Sequence, residues 1–316
     1  MRSFTIGEND CNQRIDKFLT KAVPLLPKGL TQKYIRTKRI KCNNKRCQPD
    51  DRLLLGDELQ LYINDEFFSD EPVVLDFLTA PKTLDIIYED ENIMLVDKKP
   101  GLIVHENNRE HEDTLIARIL HYLYDKGEYS PEKENSFAPA LCNRIDQYTG
   151  GIVIAAKNAE SLRIINQKLK DREILKYYLC LVHGIPEPKT AVLRGYLSKD
   201  ELSNTVSITP NQVPNSKLVI TKYTVVKALT RHALLEVDLQ TGRSHQIRAH
   251  LGLIGHPICG DSKYGADNFG KLQGIYHQAL YAYKVTFEFS GDAGKLNYLK
   301  GKTFEVKKVY FADIVR

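Results

Sequence analysis

The chain has 316 residues, of which 42% are hydrophobic and 27% charged, and its formal net charge is +5. No stretch approaches the roughly eighteen consecutive apolar residues that a membrane-spanning helix needs, and the first residues lack an apolar signal region. The six cysteines are scattered and form no Cys-x-x-Cys pair, which is typical of reduced thiols in a cytoplasmic protein. These totals exclude a membrane span and favour a soluble protein with one large and one small domain.

Positive charge is concentrated near the amino terminus. Residues 11–48 contain eleven lysines and arginines against one acid, a net charge of +10, so the remainder of the chain carries −5. Apolar spacing predicts a helix at residues 14–19 and a second at residues 31–39. Such a charge run is usually a solvated face, but contact with a phosphate backbone also requires a basic surface of this density. The candidate RNA-binding side chains in this segment are Arg14, Lys33, Arg36 and Arg39.

Two turns follow the predicted helices. Asn43-Asn44 predicts a polar turn, and Gly56-Asp57 predicts a turn that leads into a strand ending near residue 63. This order of elements resembles the alpha-L RNA-binding module first named from a ribosomal small-subunit protein, over residues 12–63. Asn-Asn in place of the usual Asn-Gly is a mild departure. The resemblance implies a small α+β RNA-binding domain ahead of a catalytic one.

Residues 64–82 are acidic and flanked by prolines, which is typical of a connection between domains. We therefore expect a linker at 64–82 and a catalytic domain at 83–316. A mobile linker would let the basic module search RNA independently.

The region from residue 83 onward mixes strand and helix patterns without regular alternation. Thr114 or Asp113 can cap a helix that ends near Leu123, and Asn158 can cap another. Apolar and alternating patterns predict strands at 86–88, 93–96, 152–156, 177–182, 223–227, 233–239 and 281–289. The fold class expected is α+β, with a mixed, mainly antiparallel sheet and a central cleft.

One carboxylate in this region is placed unusually. Asp146 lies in a loop between two apolar segments, and the Gly150-Gly151 pair can close that loop with backbone angles that other residues resist. An aspartate before Thr-Gly-Gly is also an ordinary turn residue that caps its own backbone. The loop alone therefore leaves both interpretations open.

Three stretches in order carry a resemblance. Asn-Arg-Ile-Asp-Gln-Tyr-Thr-Gly-Gly at 143–151 resembles the His-Arg-Leu-Asp-x-x-Thr-Ser-Gly motif of the RluA family of RNA pseudouridine synthases. Residues 176–184 and 239–251, with Gly-Asp-Ser-Lys-Tyr-Gly at 260–265, resemble two further motifs of that family. Asn143, Gly150 and Tyr281 replace the usual His, Ser and His.

The resemblance implies an enzyme that isomerises specific uridines in RNA, most simply large-subunit ribosomal RNA, by base flipping. Asp146 would be its catalytic residue, Arg248 the arginine paired with it, and Tyr178 the tyrosine that stacks on the target uracil. Arg144 would fill the space left by the flipped base. Arg243 and Ser244, at the start of a predicted helix, would bind RNA phosphates.

The product is an isomer of the substrate, so the reaction requires no redox cofactor or energy source. We expect no metal either. His245 and His250 are five residues apart and do not share a helix face, so with His256 they make a poor metal site. The remaining histidines are expected to form no cluster: His105, His111, His121, His183, His232 and His277.

Other functions compete with this hypothesis. A transfer-RNA pseudouridine synthase is the nearest alternative, and a catalytically silent RNA-binding or ribosome-assembly factor is a second. A hydrolase that uses Asp146 with His245 or His250 has no nucleophile elbow or metal spacing behind it. We expect RNA as the partner, no membrane contact, and a monomer.

Overall fold

The computed structural model describes residues 1–68, 75–105, 113–200, 203–265 and 274–312. Within these ranges the chain forms a sheet of four strands and a sheet of eleven. One cluster of buried apolar side chains packs against the small sheet, and three others lie on the large one. None of the described helices is both long enough and apolar enough to cross a membrane.

The small sheet is built from amino-terminal residues. Its strands are β1 (Arg2–Thr5), β2 (Ile40–Cys42), β3 (Lys45–Arg46) and β4 (Glu58–Leu61), in the order β1-β4-β2-β3. Helix α1 (Ile15–Ala22) buries Ile15, Phe18 and Leu19 against it, as their helical spacing predicted. Asn43 and Asn44 join β2 to β3 with φ angles of 51° and 62°. Asparagine tolerates these positive angles, which a two-residue hairpin turn of this kind needs.

The second helix begins and ends three residues earlier than predicted. Helix α2 spans Lys28–Arg36 and follows Pro27 at its N-cap. Thr31, which the sequence suggested as the start, is inside the helix, where its hydroxyl donates to the Pro27 carbonyl at 3.2 Å. Lys38 has a φ of 63°, and this left-handed conformation ends the helix before Arg39.

The large sheet confirms the expected α+β class. Its strand order is β11-β10-β12-β13-β9-β14-β8-β6-β5, with β15 paired to β14 and β7 to β8. Only the β14–β8 pair among these is parallel. The hairpin of β10 with β11 was not anticipated. The strands are β5 (Ile86–Glu89), β6 (Ile93–Lys98), β7 (Ala140–Leu141), β8 (Gly150–Ala156), β9 (Ile174–His183), β10 (Thr190–Asp200), β11 (Thr205–Thr209), β12 (Lys217–Ala228), β13 (His232–Leu239), β14 (Leu280–Phe287) and β15 (Thr303–Glu305).

Helices cover both faces of the central strands. In β8, Val153 and Ala155 face one apolar cluster, while Ile152 and Ile154 face the other. Helices α3 (Leu115–Asp125) and α5 (Gln246–Leu253) contribute to the first cluster, and α4 (Ala159–Lys170) contributes to the second. A strand buried on both faces carries a continuous apolar run, and β8 has one. The loop before it is therefore anchored to a strand that is buried along its whole length.

Polar contacts hold the amino-terminal part against the large sheet's domain. The Asp10 carboxylate accepts hydrogen bonds from Asn135 Nδ2 at 2.7 Å and from the Ser136 hydroxyl at 2.6 Å. Asn9 bonds Glu134 Oε1 at 2.8 Å and the backbone N–H of Ala159 at 3.0 Å. The basic module is thus docked, which differs from the independent movement that a mobile linker would allow.

Part of the predicted linker is also packed. The Phe77 ring lies 5.8 Å from the Tyr124 ring of α3, measured between centroids. The Ala80 carbonyl lies 2.6 Å from His121 Nδ1, and Lys82 pairs with Asp125 at 2.5 Å. Residues 69–74 of this segment lie outside the described ranges.

Candidate active site

A cleft of about 870 Å³ crosses the middle of the large sheet. Six of the predicted site residues line it: Asp146, Tyr178, Arg248, Arg144, Arg243 and Ser244. The other four predicted side chains, Arg14, Lys33, Arg36 and Arg39, are exposed on the amino-terminal module and are not among its lining residues. Arg14 is also engaged by Asp16 through two hydrogen bonds of 3.0 and 2.9 Å.

Asp146 stands in the loop between β7 and β8, with its side chain 26% exposed to the cleft. Arg248, on α5 and 102 residues further along the chain, donates from Nη1 to Asp146 Oδ2 at 2.9 Å. The Asp146 carbonyl accepts from the backbone N–H of Thr149 at 3.0 Å, which closes the loop as a turn. Asp146 is therefore a turn residue and also a carboxylate paired with a cation in a cleft.

Arg248 is held in place by a second carboxylate that the sequence reasoning missed. Asp261 is completely buried and accepts from Arg248 Nε at 2.7 Å and from Nη2 at 2.8 Å. This two-point contact fixes the plane of the guanidinium and leaves Nη1 for Asp146. The signal was present in Gly-Asp-Ser-Lys-Tyr-Gly at 260–265, where Asp261 is the only acid.

Charge pairing outweighs desolvation at this guanidinium. Burial by itself would lower the pKa of Arg248, but the bonds to Asp261 and the charge of Asp146 raise it overall. The guanidinium also lies over the Tyr264 ring, 5.3 Å from its centroid, where a cation is attracted to the ring face. Arg248 is consequently a permanent positive charge at the base of the cleft.

Tyr178 projects from β9 and is buried at the cleft wall. Burial, and then the nearby charge of Asp146, raise the pKa of the Tyr178 hydroxyl. The phenol is therefore protonated at neutral pH, so it can donate a hydrogen bond but does not start a reaction as a base.

Lys98 supports the Asp146 loop from behind. Its side chain is fully buried, and Nζ donates to the carbonyls of Lys99 at 3.0 Å, Leu102 at 2.9 Å and Gln147 at 2.8 Å. An ammonium has three N–H donors, so each of them has one of these three carbonyls as its acceptor. Since Gln147 follows Asp146, the bond fixes the backbone beside the carboxylate. Lys98 begins the sequence Lys-Lys-Pro-Gly at 98–101, and the sequence reasoning gave it no role.

Because of Lys98, the free energy of unfolding should change with pH in the alkaline range. Burial lowers the pKa of Lys98 to about 8 from an ordinary value of 10.5, so between these two pH values the unfolded chain binds more protons than the folded one. We expect the wild type to gain about 1.5 kcal/mol of unfolding free energy relative to Lys98→Met between pH 8 and about pH 9.5. Urea unfolding of both proteins measures this difference. A difference that stays constant over that range would contradict the burial of the ammonium.

Two departures from the resembled motif explain each other. A Cβ at Gly150 would lie 2.2 Å from Cε2 of Tyr281, on the neighbouring parallel strand. The Tyr281 ring occupies the space that a side chain at 150 would need, and its hydroxyl donates to Asp97 Oδ1 at 2.7 Å. Asn143 bonds β8 instead, where its Oδ1 accepts from the Ile154 N–H at 2.8 Å. Gly150 and Tyr281 therefore fit each other sterically, and Asn143 joins the start of the Asp146 loop to β8.

Contrary to the sequence expectation, some histidines do form a cluster. His183, His232 and Cys259 each place a ligand atom within 4.8 Å of the other two. Imidazole and thiol suit zinc, but a closed structural zinc site uses four ligands, and none of these three residues lines the cleft. The cluster is thus separate from the cleft. His111 lies outside the described residues.

The cleft combines features of an enzyme that works on an anionic polymer. A carboxylate and a buried guanidinium pair at its base, a protonated phenol forms a wall, and exposed arginines at positions 144 and 243 lie around it. Such an arrangement can perform proton transfer or nucleophilic attack on a substrate whose phosphates contact the arginines.

Comparison with known proteins identifies the reaction. A family model for RNA pseudouridylate synthase matches residues 92–252. A Mycoplasma genitalium protein named as an uncharacterized RNA pseudouridine synthase is 31% identical over 90% of this chain and 88% of its own. A Rickettsia bellii protein named ribosomal large subunit pseudouridine synthase C is 34% identical over 80% of this chain and 83% of its own. The chain therefore belongs to the RNA pseudouridine synthase family.

It is accordingly an isomerase that acts on RNA. The fold is also found in a solved human protein, RNA pseudouridylate synthase domain containing 4, with a TM-score of 0.55 and 20% identity over 72% of this chain and 89% of that one. The family assignment and the sheet architecture expected from the sequence are thus both confirmed.

Proposed function

We propose that this enzyme converts specific uridines of large-subunit ribosomal RNA to pseudouridine, with Asp146 as its catalytic carboxylate. The observation that carries the proposal is the 2.9 Å pair between Asp146 Oδ2 and Arg248 Nη1 inside the cleft. The ribosomal substrate is supported by relatives from Rickettsia bellii and Vibrio cholerae, whose names assign them to the ribosomal large subunit.

The reaction breaks the bond between uracil N1 and ribose C1′, turns the base, and forms a bond from C5 to C1′. The hydrogen on C5 leaves as a proton and N1 gains one, so the product has the composition of the substrate. Asp146 either attacks C1′ or removes a proton from the ribose, and both routes need a free carboxylate oxygen. The Tyr178 ring packs on the uracil, and its protonated hydroxyl serves as a donor.

The target nucleotide must leave its stack to reach Asp146. Unstacking costs a few kcal/mol, which contacts with the protein must offset. Arg144 is exposed at the cleft and fills the vacated position, since a guanidinium both stacks on bases and binds phosphate. Arg243 and Ser244, immediately before α5, bind phosphates near its amino-terminal N–H groups.

The domain division forms part of the proposal: an RNA-binding module at residues 12–63, a connection at 64–82 and a catalytic domain at 83–316. The separate apolar core of the amino-terminal part supports it, as do its exposed basic side chains Lys33, Arg36 and Arg39. Strand β1 precedes residue 12 and completes the same small sheet. The docked position of this part lets one RNA contact the module and the cleft together.

Release of tritium from RNA that carries uridine tritiated at C5 tests the substrate. We expect release from unmodified large-subunit ribosomal RNA and little from transfer RNA, with each compared at equal uridine concentration. If tritium were released only from transfer RNA, the proposed substrate would be transfer RNA instead of ribosomal RNA. A wild-type protein that binds both RNAs but releases tritium from neither would favour a ribosome-assembly factor.

A further inference from the structure

His245 contacts the same carboxylate oxygen as Arg248. It is the N-cap residue of α5, and its Nε2 lies 3.8 Å from Asp146 Oδ2. Asp146 Oδ1 has no hydrogen-bond partner among the described side chains. Two nitrogen atoms therefore converge on one oxygen of Asp146, a residue that lines the cleft.

The tautomer of His245 follows from its second nitrogen. The Tyr264 hydroxyl accepts a hydrogen bond from the backbone N–H of Val206 at 2.8 Å and lies 2.9 Å from His245 Nδ1. The hydroxyl keeps its own hydrogen and can donate it to Nδ1, which is the acceptor in the tautomer that the proposal below requires. A neutral imidazole that accepts at Nδ1 carries its hydrogen on Nε2, and that hydrogen points toward Asp146.

Burial of His245 favours this neutral form. Burial lowers the pKa of His245, and the cations Arg248 and Lys263 lower it further. The carboxylates of Asp146 and Asp261 oppose this effect without reversing it. At neutral pH the imidazole is therefore uncharged and has a single N–H to donate.

The backbone at this position is unfavourable for a histidine. His245 has a φ of 54°, in the left-handed region that glycine and asparagine occupy more easily. Strain of this kind is often retained where a side chain must point in one particular direction. Here the left-handed conformation lies at the amino-terminal end of α5, and the imidazole points toward Asp146.

We propose that His245 is a positioning residue, whose Nε2–H and the Arg248 guanidinium together hold Oδ2 of Asp146 so that Oδ1 faces the ribose. This inference rests on the proposed catalytic role of Asp146. The 3.8 Å separation shortens to a hydrogen bond when RNA closes the cleft, since catalytic hydrogen bonds are commonly long in the free enzyme. His245 does not touch the reacting atoms and acts through the carboxylate.

Two substitutions distinguish the loss of the Nε2–H donor from an effect of the backbone conformation at position 245. His245→Asn tolerates the positive φ but is too short to reach Asp146, whereas His245→Gln places an amide N–H near the position of Nε2. We expect His245→Asn to lower kcat about 10- to 100-fold with the KM for RNA changed less than about threefold, because a misaligned carboxylate slows the chemical step. His245→Gln should restore at least part of that loss. Single-turnover and steady-state tritium release measure both parameters.

Tyr264→Phe provides an independent readout. It removes the hydroxyl that fixes the tautomer, so it should lower kcat when His245 is present and have little further effect in the His245→Gln background. Non-additivity of this kind reports a direct coupling between the two side chains. Additive losses in the double variant would overturn the tautomer argument.

The matched control is His250→Asn on the same helix. His250 is buried, pairs with Thr221 at 2.8 Å and does not line the cleft. Its substitution should lower the melting temperature without lowering kcat of the folded protein. The proposal would be overturned if His245→Asn had the kcat of the wild type. It would also be overturned if neither His245→Asn nor His245→Gln lost more kcat than the His250→Asn control. If Asp146→Asn were fully active, the proposed function would fail instead.

Discussion

Asp146→Asn should abolish pseudouridine formation while leaving the fold and the affinity for RNA unchanged. The amide has nearly the shape of the carboxylate and can still accept from Arg248 Nη1, which lies 2.9 Å away in the wild type. It can neither attack ribose nor take up a proton at neutral pH. We therefore expect kcat/KM to fall by more than about 10⁴-fold, a loss typical of removing the central catalytic group. Tritium release measures the rate, and filter binding measures the affinity.

Asp171→Asn is the control for this experiment. Asp171 is an exposed acid at the end of α4, bonded to Gln167 at 2.8 Å and absent from the lining of the cleft. Asp171→Asn makes the same chemical change outside the cleft. The control should therefore have wild-type activity. Activity of Asp146→Asn within about tenfold of wild type would remove Asp146 from the mechanism, because an amide provides no substitute for a carboxylate here.

Asp261→Ala should cause the largest loss of stability among the site variants. It leaves the Arg248 guanidinium, whose side chain is 5% exposed, without its two-point partner. Breaking a buried ion pair from one side costs about 3–5 kcal/mol, because the remaining charge stays buried, here with only the single bond to Asp146 as compensation. Denaturant unfolding measures the cost. A loss below about 1 kcal/mol would mean that the guanidinium relaxes into solvent.

The activity of this variant should fall as well, although Asp261 lies behind Arg248 as seen from the cleft. Without Asp261 the guanidinium loses the plane that presents Nη1 to Asp146. The double variant Asp261→Leu with Arg248→Met separates the two effects. We expect it to recover much of the lost stability, since apolar residues of similar volume often replace a buried ion pair without cost, but to stay inactive. Recovery of activity in the double variant would contradict a role for Arg248.

Local features of the fold were predictable from the sequence because each depends on neighbouring residues. The Thr114 hydroxyl caps α3 by accepting from the Ala117 N–H at 3.2 Å, and Asn158 caps α4 by accepting from the Ser161 N–H at 2.9 Å. The Asn43-Asn44 turn has the positive φ angles that its residues permit. The bounds of α2 were wrong because a threonine can bond backward inside a helix as well as cap its start.

The hairpin of β10 and β11 was harder to predict from the sequence than these helix caps and turns. The burial pattern of β10 alternates, but its residues do not follow that pattern, because the apolar Val192 is exposed and Gly195 is buried. These strands pair with β12 and with each other, and Leu197 and Val206 pack in a small apolar cluster with residues of β12 and α5. A strand stabilised by its neighbours carries little of that information in its own residues.

The proposed catalytic carboxylate, its arginine and its tyrosine could be selected from motif resemblance, since each lies in a stretch with a recognisable order of residues. The sequence also determined the family, the sheet class and the concentration of positive charge near the amino terminus. Only the tertiary structure placed Asp261 behind Arg248, Tyr264 against His245 and the Tyr281 ring in the space beside Gly150. These contacts depend on which strands are neighbours and on how loops return to the cleft. That arrangement is set by packing of the whole chain, so no single stretch of residues contains it.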